Sequence, residues 1–155
     1  MNKQQELLAL IDIIFSQTPY PYIDEIYANI RCKEEYIEDL GQRVWQETIL
    51  DNLAYRDDIV VSLSNTGFLY YLPAFLCFIL IHYNEMDVFG EAVIDRLTPI
   101  LDEMNNPRAS WVKNIYNCLT EQQQKCIQKV LLYFWENYDD DLVYDALNDY
   151  WFDNP

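Results

Sequence analysis

Apolar residues recur along this chain at helical spacing, and the pattern predicts helices in nearly every segment. Leu7, Leu8, Ile11, Ile14 and Phe15 fall at i, i+1, i+4, i+7 and i+8, which makes one stripe of an amphipathic helix. Thr18-Pro19-Tyr20-Pro21-Tyr22 should end that helix, because each proline lacks an amide donor and biases its predecessor away from helix. A second helix is expected from about Asp24, with Ile23, Ile26, Tyr27 and Ile30 on its inner side. Lys33 to Leu40 reads as a short acidic helix closed by Gly41, a left-handed cap. Trp45 then anchors the connection into a segment around Thr48 to Tyr55.

Ser64-Asn65-Thr66-Gly67 has turn and N-cap chemistry and precedes the most apolar run, Phe68 to Ile81. That run spans fourteen residues. Crossing a bilayer core takes roughly 20 residues. The run also lacks flanking Lys or Arg and carries Pro73 in its middle, so it reads as a buried central helix that Pro73 either starts or kinks. Val88, Phe89, Ala92, Val93 and Leu97 mark a further helix before Pro99, and Asn105-Asn106-Pro107 marks a loop. Thr120 and Gln123 have the spacing of a capping box, opening a helix with Ile127, Val130, Leu131, Phe134 and Tyr138 inward. A last helix runs from about Asp140 to Tyr150, with Val143, Ala146, Leu147 and Tyr150 inward. Ile59 to Leu63 is the best strand candidate, but such stretches are too few for a sheet with a face to bury. The expectation is one all-α domain over residues 1–155, a compact multi-helix fold around a proline-interrupted central helix.

Composition sharpens the picture through charge. The 155 residues carry 26 Asp and Glu against 10 Lys and Arg, a formal net charge of -16, with 51% hydrophobic residues to fill a core. A field of that sign repels phosphate, which argues against nucleic acid and against an anionic membrane as partner. Three glycines and a single histidine leave phosphate cradles, histidine metal cages and most acyl-transfer triads without their parts. Cys32, Cys77, Cys118 and Cys126 form no CxxC pair, and Met1 to Gln17 does not read as a signal peptide because Glu6 and Asp12 interrupt its apolar stretch. Four reduced thiols in a cytoplasmic protein are expected, with no metal and no cofactor.

One string and its surroundings resemble a known family. Phe68-Leu69-Tyr70-Tyr71-Leu72-Pro73-Ala74-Phe75-Leu76 follows Leu63-Ser64, with Pro19-Tyr20-Pro21, Gly41 and Trp45 upstream. Leu119-Thr120-Glu121-Gln122-Gln123 and Tyr150-Trp151 stand downstream. In that order they resemble a bacterial family of small acidic helical proteins catalogued only as a domain of unknown function. The resemblance covers the chain from the first helix to Trp151, departing at Tyr22, where that family would carry glycine after Pro21. It implies a small helical fold and supplies no activity and no site residues.

Four constellations are candidates for chemistry. Tyr70 and Tyr71, at the proline in the apolar run, offer aromatic faces for a cleft, and they serve equally as core. His82 closes the run beside Glu85 and Asp87. It is a candidate general base, or simply a favourable charge at a helix C-terminus. The carboxylate pairs Glu34-Glu35, Glu38-Asp39 and Asp57-Asp58 have no ExxH or calcium-loop organisation, so a carboxylate-based, metal-dependent enzyme is the alternative rather than the expectation.

The fourth is the C-terminal segment. No basic residue follows Lys129, while Asp141, Asp145 and Asp149 fall at i, i+4 and i+8, interleaved with Tyr144 and Trp151. Like charges at that spacing cost a helix roughly 0.2–0.5 kcal/mol per pair, so the stripe does not serve its own helix. It reads either as a solvated face that keeps the protein soluble or as a docking face for a basic protein. The expected function is therefore a non-enzymatic acidic domain that docks or masks a basic partner, such as a toxin-neutralising immunity protein or an inhibitor. A scaffold domain of a larger complex is the remaining class.

Overall fold

A computed structural model describes residues 1–40, 43–48, 56–98 and 116–151, apart from the side chains of Asp39, Asp149 and Tyr150. Gly41, most of the Thr48 to Tyr55 segment, Pro99 and the Asn105-Asn106-Pro107 loop lie outside the described residues. Helix dominates: α1 (Lys3–Phe15), α2 (Ile23–Ile26), α3 (Ile30–Leu40), α4 (Asp57–Ser62), α5 (Asn65–His82), α6 (Val88–Arg96), α7 (Glu121–Tyr138) and α8 (Asp141–Ala146). Three-residue 3₁₀ turns occupy Trp45–Glu47 and Tyr83–Glu85, and a π turn occupies Leu147–Trp151. Among the described residues the β interaction is an isolated bridge between Tyr27 and Leu63. The fold is all-α, as the periodicity predicts. The chain divides into two compact units, Phe15–Val93 on the one hand and Met1–Ile14 with Ile94–Pro155 on the other.

The Phe15–Val93 unit is organised by α5. Ser64 caps it, its Oγ accepting from the Gly67 amide at 3.0 Å, which supplies one of the partners that a helix start otherwise lacks. Ser64 also ties α5 to α2: its amide donates to the Ile26 carbonyl at 2.9 Å, and its hydroxyl meets the carbonyls of Glu25 and Ile26. Phe68, Tyr71, Leu72, Phe75, Leu76 and Leu80 are buried along α5, and Phe75 meets Phe89 of α6 edge-on at 5.3 Å. By length and composition α5 with its following turn would suffice to cross a membrane, yet most of it is buried within the protein, as a core helix is. Pro73 lies inside α5 rather than at its start, so its ring withholds an N–H from the Leu69 carbonyl within a continuing helix.

Two sequence expectations fail here for one reason. The second helix is a single turn, because the backbone of Ile26, Tyr27 and Ala28 pairs with Ser64, Leu63 and Ser62 instead of with itself. Ile30 consequently begins α3 and is 75% exposed, not inward. The strand candidate Ile59 to Leu63 folds as α4, with Ile59 and Val60 buried and Val61 67% exposed, and only Leu63 joins the bridge. Trp45 does anchor its connection: its indole donates to the Phe15 carbonyl at 3.3 Å and its amide to the Tyr70 hydroxyl at 3.2 Å.

In the other unit, α7 starts with both halves of the capping box. The Gln123 amide donates to Thr120 Oγ1 at 3.2 Å, and the Thr120 amide donates to Gln123 Oε1 at 3.0 Å. Cys126, Ile127, Val130, Leu131 and Phe134 form its buried face, and Val143, Ala146 and Leu147 that of the next segment. Between them Asp139 takes a left-handed conformation (φ 50°) as the C-cap of α7, its amide bonded to the Trp135 carbonyl at 3.0 Å. Glycine suits that geometry, and a carboxylate at the negative end of a helix is unfavourable. Asp139→Gly is therefore expected to stabilise the protein by about 1 kcal/mol. A raised urea midpoint checks this, and an unchanged or lowered one refutes it.

Candidate functional site

The aromatic candidates in the apolar run lie within the core and bond to backbone. Tyr70 and Tyr71 are buried, with rings 5.0 Å apart and edge-on, and Tyr20 meets Tyr70 in the same way at 5.2 Å. Each hydroxyl has a backbone partner: Tyr70 accepts from the Trp45 amide, and Tyr71 donates to the Arg43 carbonyl at 3.0 Å. Burial above all, with the neighbouring Tyr20, pushes the Tyr71 phenol far above its ordinary pKa, so it stays protonated and neutral. These two tyrosines hold the Arg43–Trp45 connection onto α5.

His82 stands apart from them. It is the last residue of α5, twelve positions beyond Tyr70, which places it about 18 Å further along the axis. Its side chain is 39% exposed, its Nδ1 lies 3.4 Å from Glu85 Oε2, and its ring packs on Phe78 at 4.9 Å. Tyr70, Tyr71 and His82 do not form one site.

All four cysteines are free thiols, and burial pushes the Cys126 thiol up to about 11 against the opposing pull of Lys129, leaving it unreactive near neutrality. Among the described residues no group of three or more His, Cys, Asp and Glu side chains is placed to hold a metal. Asp58 is held below the usual carboxylate range by its hydrogen bond and ion pair with Arg56, at 3.0 Å, against the opposing effect of partial burial.

The C-terminal segment presents an exposed face built differently from the sequence stripe. Asp140 caps α8, its Oδ1 accepting from the Leu142 amide at 3.0 Å. Val143 and Ala146 point inward, which turns Asp141, Tyr144 and Asp145 outward, with Tyr144 43% and Leu142 36% exposed. Past Leu147 the backbone runs as a π turn, so Asp149 does not continue the α-helical stripe, and its side chain lies outside the described residues. Trp151 is a correction: it is fully buried, its indole donating to the Leu97 carbonyl at 2.8 Å, and it belongs to the core rather than to a docking face.

In place of Trp151 the structure brings Trp135 to this face. The half-buried Trp135 on α7 and Tyr144 on α8 have ring centroids 5.6 Å apart, tilted by 47°. Glu136 and Asp139 are exposed next to it. None of the ion pairs among the described residues involves Glu136, Asp139, Asp141 or Asp145. The sequence signal for Trp135 was its place beside Glu136 in the acidic segment that follows Lys129.

The chain belongs to a family of unknown function, DUF6714, whose model matches residues 4–154. The resemblance read from the sequence, to a family without assigned function, thus holds over almost the whole chain. No curated protein and no solved structure matches it.

Proposed function

We propose that this DUF6714 chain is a cytoplasmic protein-binding domain that docks or masks a basic protein through the face carrying Asp141, Tyr144 and Asp145. One observation supports it most: a large aromatic, Tyr144, stands exposed between two exposed carboxylates with no cation paired to them among the described residues. Aromatic anchors within a ring of unmatched charge are the composition of a surface awaiting a complementary one. The net charge of -16 adds a long-range field that steers a basic protein inward and turns nucleic acid away. Neutralising a toxin or mimicking nucleic-acid charge are specific forms of this activity.

The test is surface plasmon resonance against a protein captured from the native host. Replacing Asp141 and Asp145 by Asn is expected to lower the on-rate at low salt, with the melting temperature kept or slightly raised because the change removes i, i+4 repulsion. Raising ionic strength from 0.01 M to 0.15 M shortens the Debye length from about 30 Å to about 8 Å and should slow association of the wild type. On-rates that ignore both the substitutions and the salt would return this face to a solubility role.

A further inference from the structure

We propose that Trp135 and Tyr144 form a cation–π subsite that receives an arginine side chain of the partner, an inference that rests on the docking reading. The two rings stand 5.6 Å apart at a tilt of 47°, so each braces the other and Tyr144 keeps an open flank toward solvent. Helix geometry sets carboxylates around the pair. Asp139 follows Trp135 by one turn, its amide bonded to the Trp135 carbonyl, and Asp141 precedes Tyr144 by three residues on α8, with Asp145 adjacent. Asp141 and Tyr144, at i and i+3 on α8, have Cβ atoms roughly 5–6 Å apart, within reach of one bound side chain.

Charge chooses the occupant. An anion meets repulsion here, and a neutral apolar group leaves the surrounding carboxylates unmatched. A cation gains both from the negative ring faces and from the carboxylates. Guanidinium satisfies the two at once, since its plane stacks on an aromatic ring while its in-plane N–H groups point sideways at carboxylate oxygens. The ammonium of lysine is a point donor that must choose between them. No basic residue follows Lys129 in the sequence, so this segment supplies no arginine or lysine of its own.

The test is isothermal titration calorimetry of the full chain with nona-arginine and with nona-lysine at low salt. The wild type is expected to prefer nona-arginine by roughly two- to fivefold, the value of an exposed cation–π contact. Tyr144→Leu should remove that preference and Tyr144→Phe should keep it. Trp135→Leu should act like Tyr144→Leu, and because Trp135 is half-buried, its circular dichroism spectrum is compared with that of the wild type. Asp141→Asn with Asp145→Asn should weaken both peptides together and leave their ratio in place. Equal wild-type affinities, or a preference that survives Tyr144→Leu, would overturn the arginine subsite. If the Asn changes also leave both affinities untouched, the docking face itself falls.

Discussion

Gly67→Ala is expected to destabilise the protein by about 3 kcal/mol, although the same change stabilises most helix interiors by up to about 1 kcal/mol. A Cβ at Gly67 would stand 2.0 Å from the Ile26 carbonyl oxygen and 2.8 Å from its carbon, and these are backbone atoms with no rotamer to escape into. That carbonyl accepts from both the amide and the hydroxyl of Ser64. Pushing it away therefore strains the α5 cap as well as the packing of α2 on α5, adding about 1 kcal/mol of lost capping to the overpacking cost. For a chain of this size the melting temperature should fall by roughly 6–12 °C. Gly90→Ala is the control, because the new methyl meets the side chain of Met86, and the stability should change by less than about 1 kcal/mol. A Gly67→Ala protein that melts with the wild type would show that α2 yields freely, and the close approach would then carry no structural weight.

What the sequence made legible was local. Thr120 and Gln123 lie three residues apart and cap each other's backbone, so the start of α7 could be read directly, and so could its buried face, because 3.6-residue periodicity runs uninterrupted from Ile127 to Phe134. The Ser64 cap was readable on the same grounds. Where a distant segment decides, the reading failed. The end of α2 depends on hydrogen bonds between Ile26 and Ser64, thirty-eight residues apart, and no pattern near Ile30 reports them. Tyr70 and Tyr71 offered an aromatic face in the sequence, but their hydroxyls are consumed by the backbone at Trp45 and Arg43. At the acidic face, Asp141, Tyr144 and Asp145 kept their places because α8 is regular there. Trp135 was missed because its partner sits on the next helix, and Trp151 was misplaced because it was grouped with the aspartates by composition, although it stands four residues after the buried Leu147.

Trp151→Ala is expected to cost about 4 kcal/mol, the largest effect of any substitution in the C-terminal segment. The indole is fully buried, its ring lies 5.4 Å from that of Tyr116, and its Nε1 donates to the Leu97 carbonyl at 2.8 Å. Its backbone carbonyl accepts from Gln128 Nε2 of α7, so the residue is fixed from both ends. The π turn over Leu147–Trp151 contains an i→i+5 hydrogen-bond geometry in place of the tighter α one, and this turn leads into the buried Trp151. Trp151→Phe separates the contributions: it keeps an aromatic ring and loses the N–H, leaving the Leu97 carbonyl without that donor at a cost of about 1–3 kcal/mol. The stability order by urea titration should run wild type, Phe, Ala. A docking role for Trp151 predicts the reverse emphasis, with stability unchanged and partner affinity lost, so wild-type urea midpoints for both variants would restore Trp151 to the surface and undo its assignment to the core.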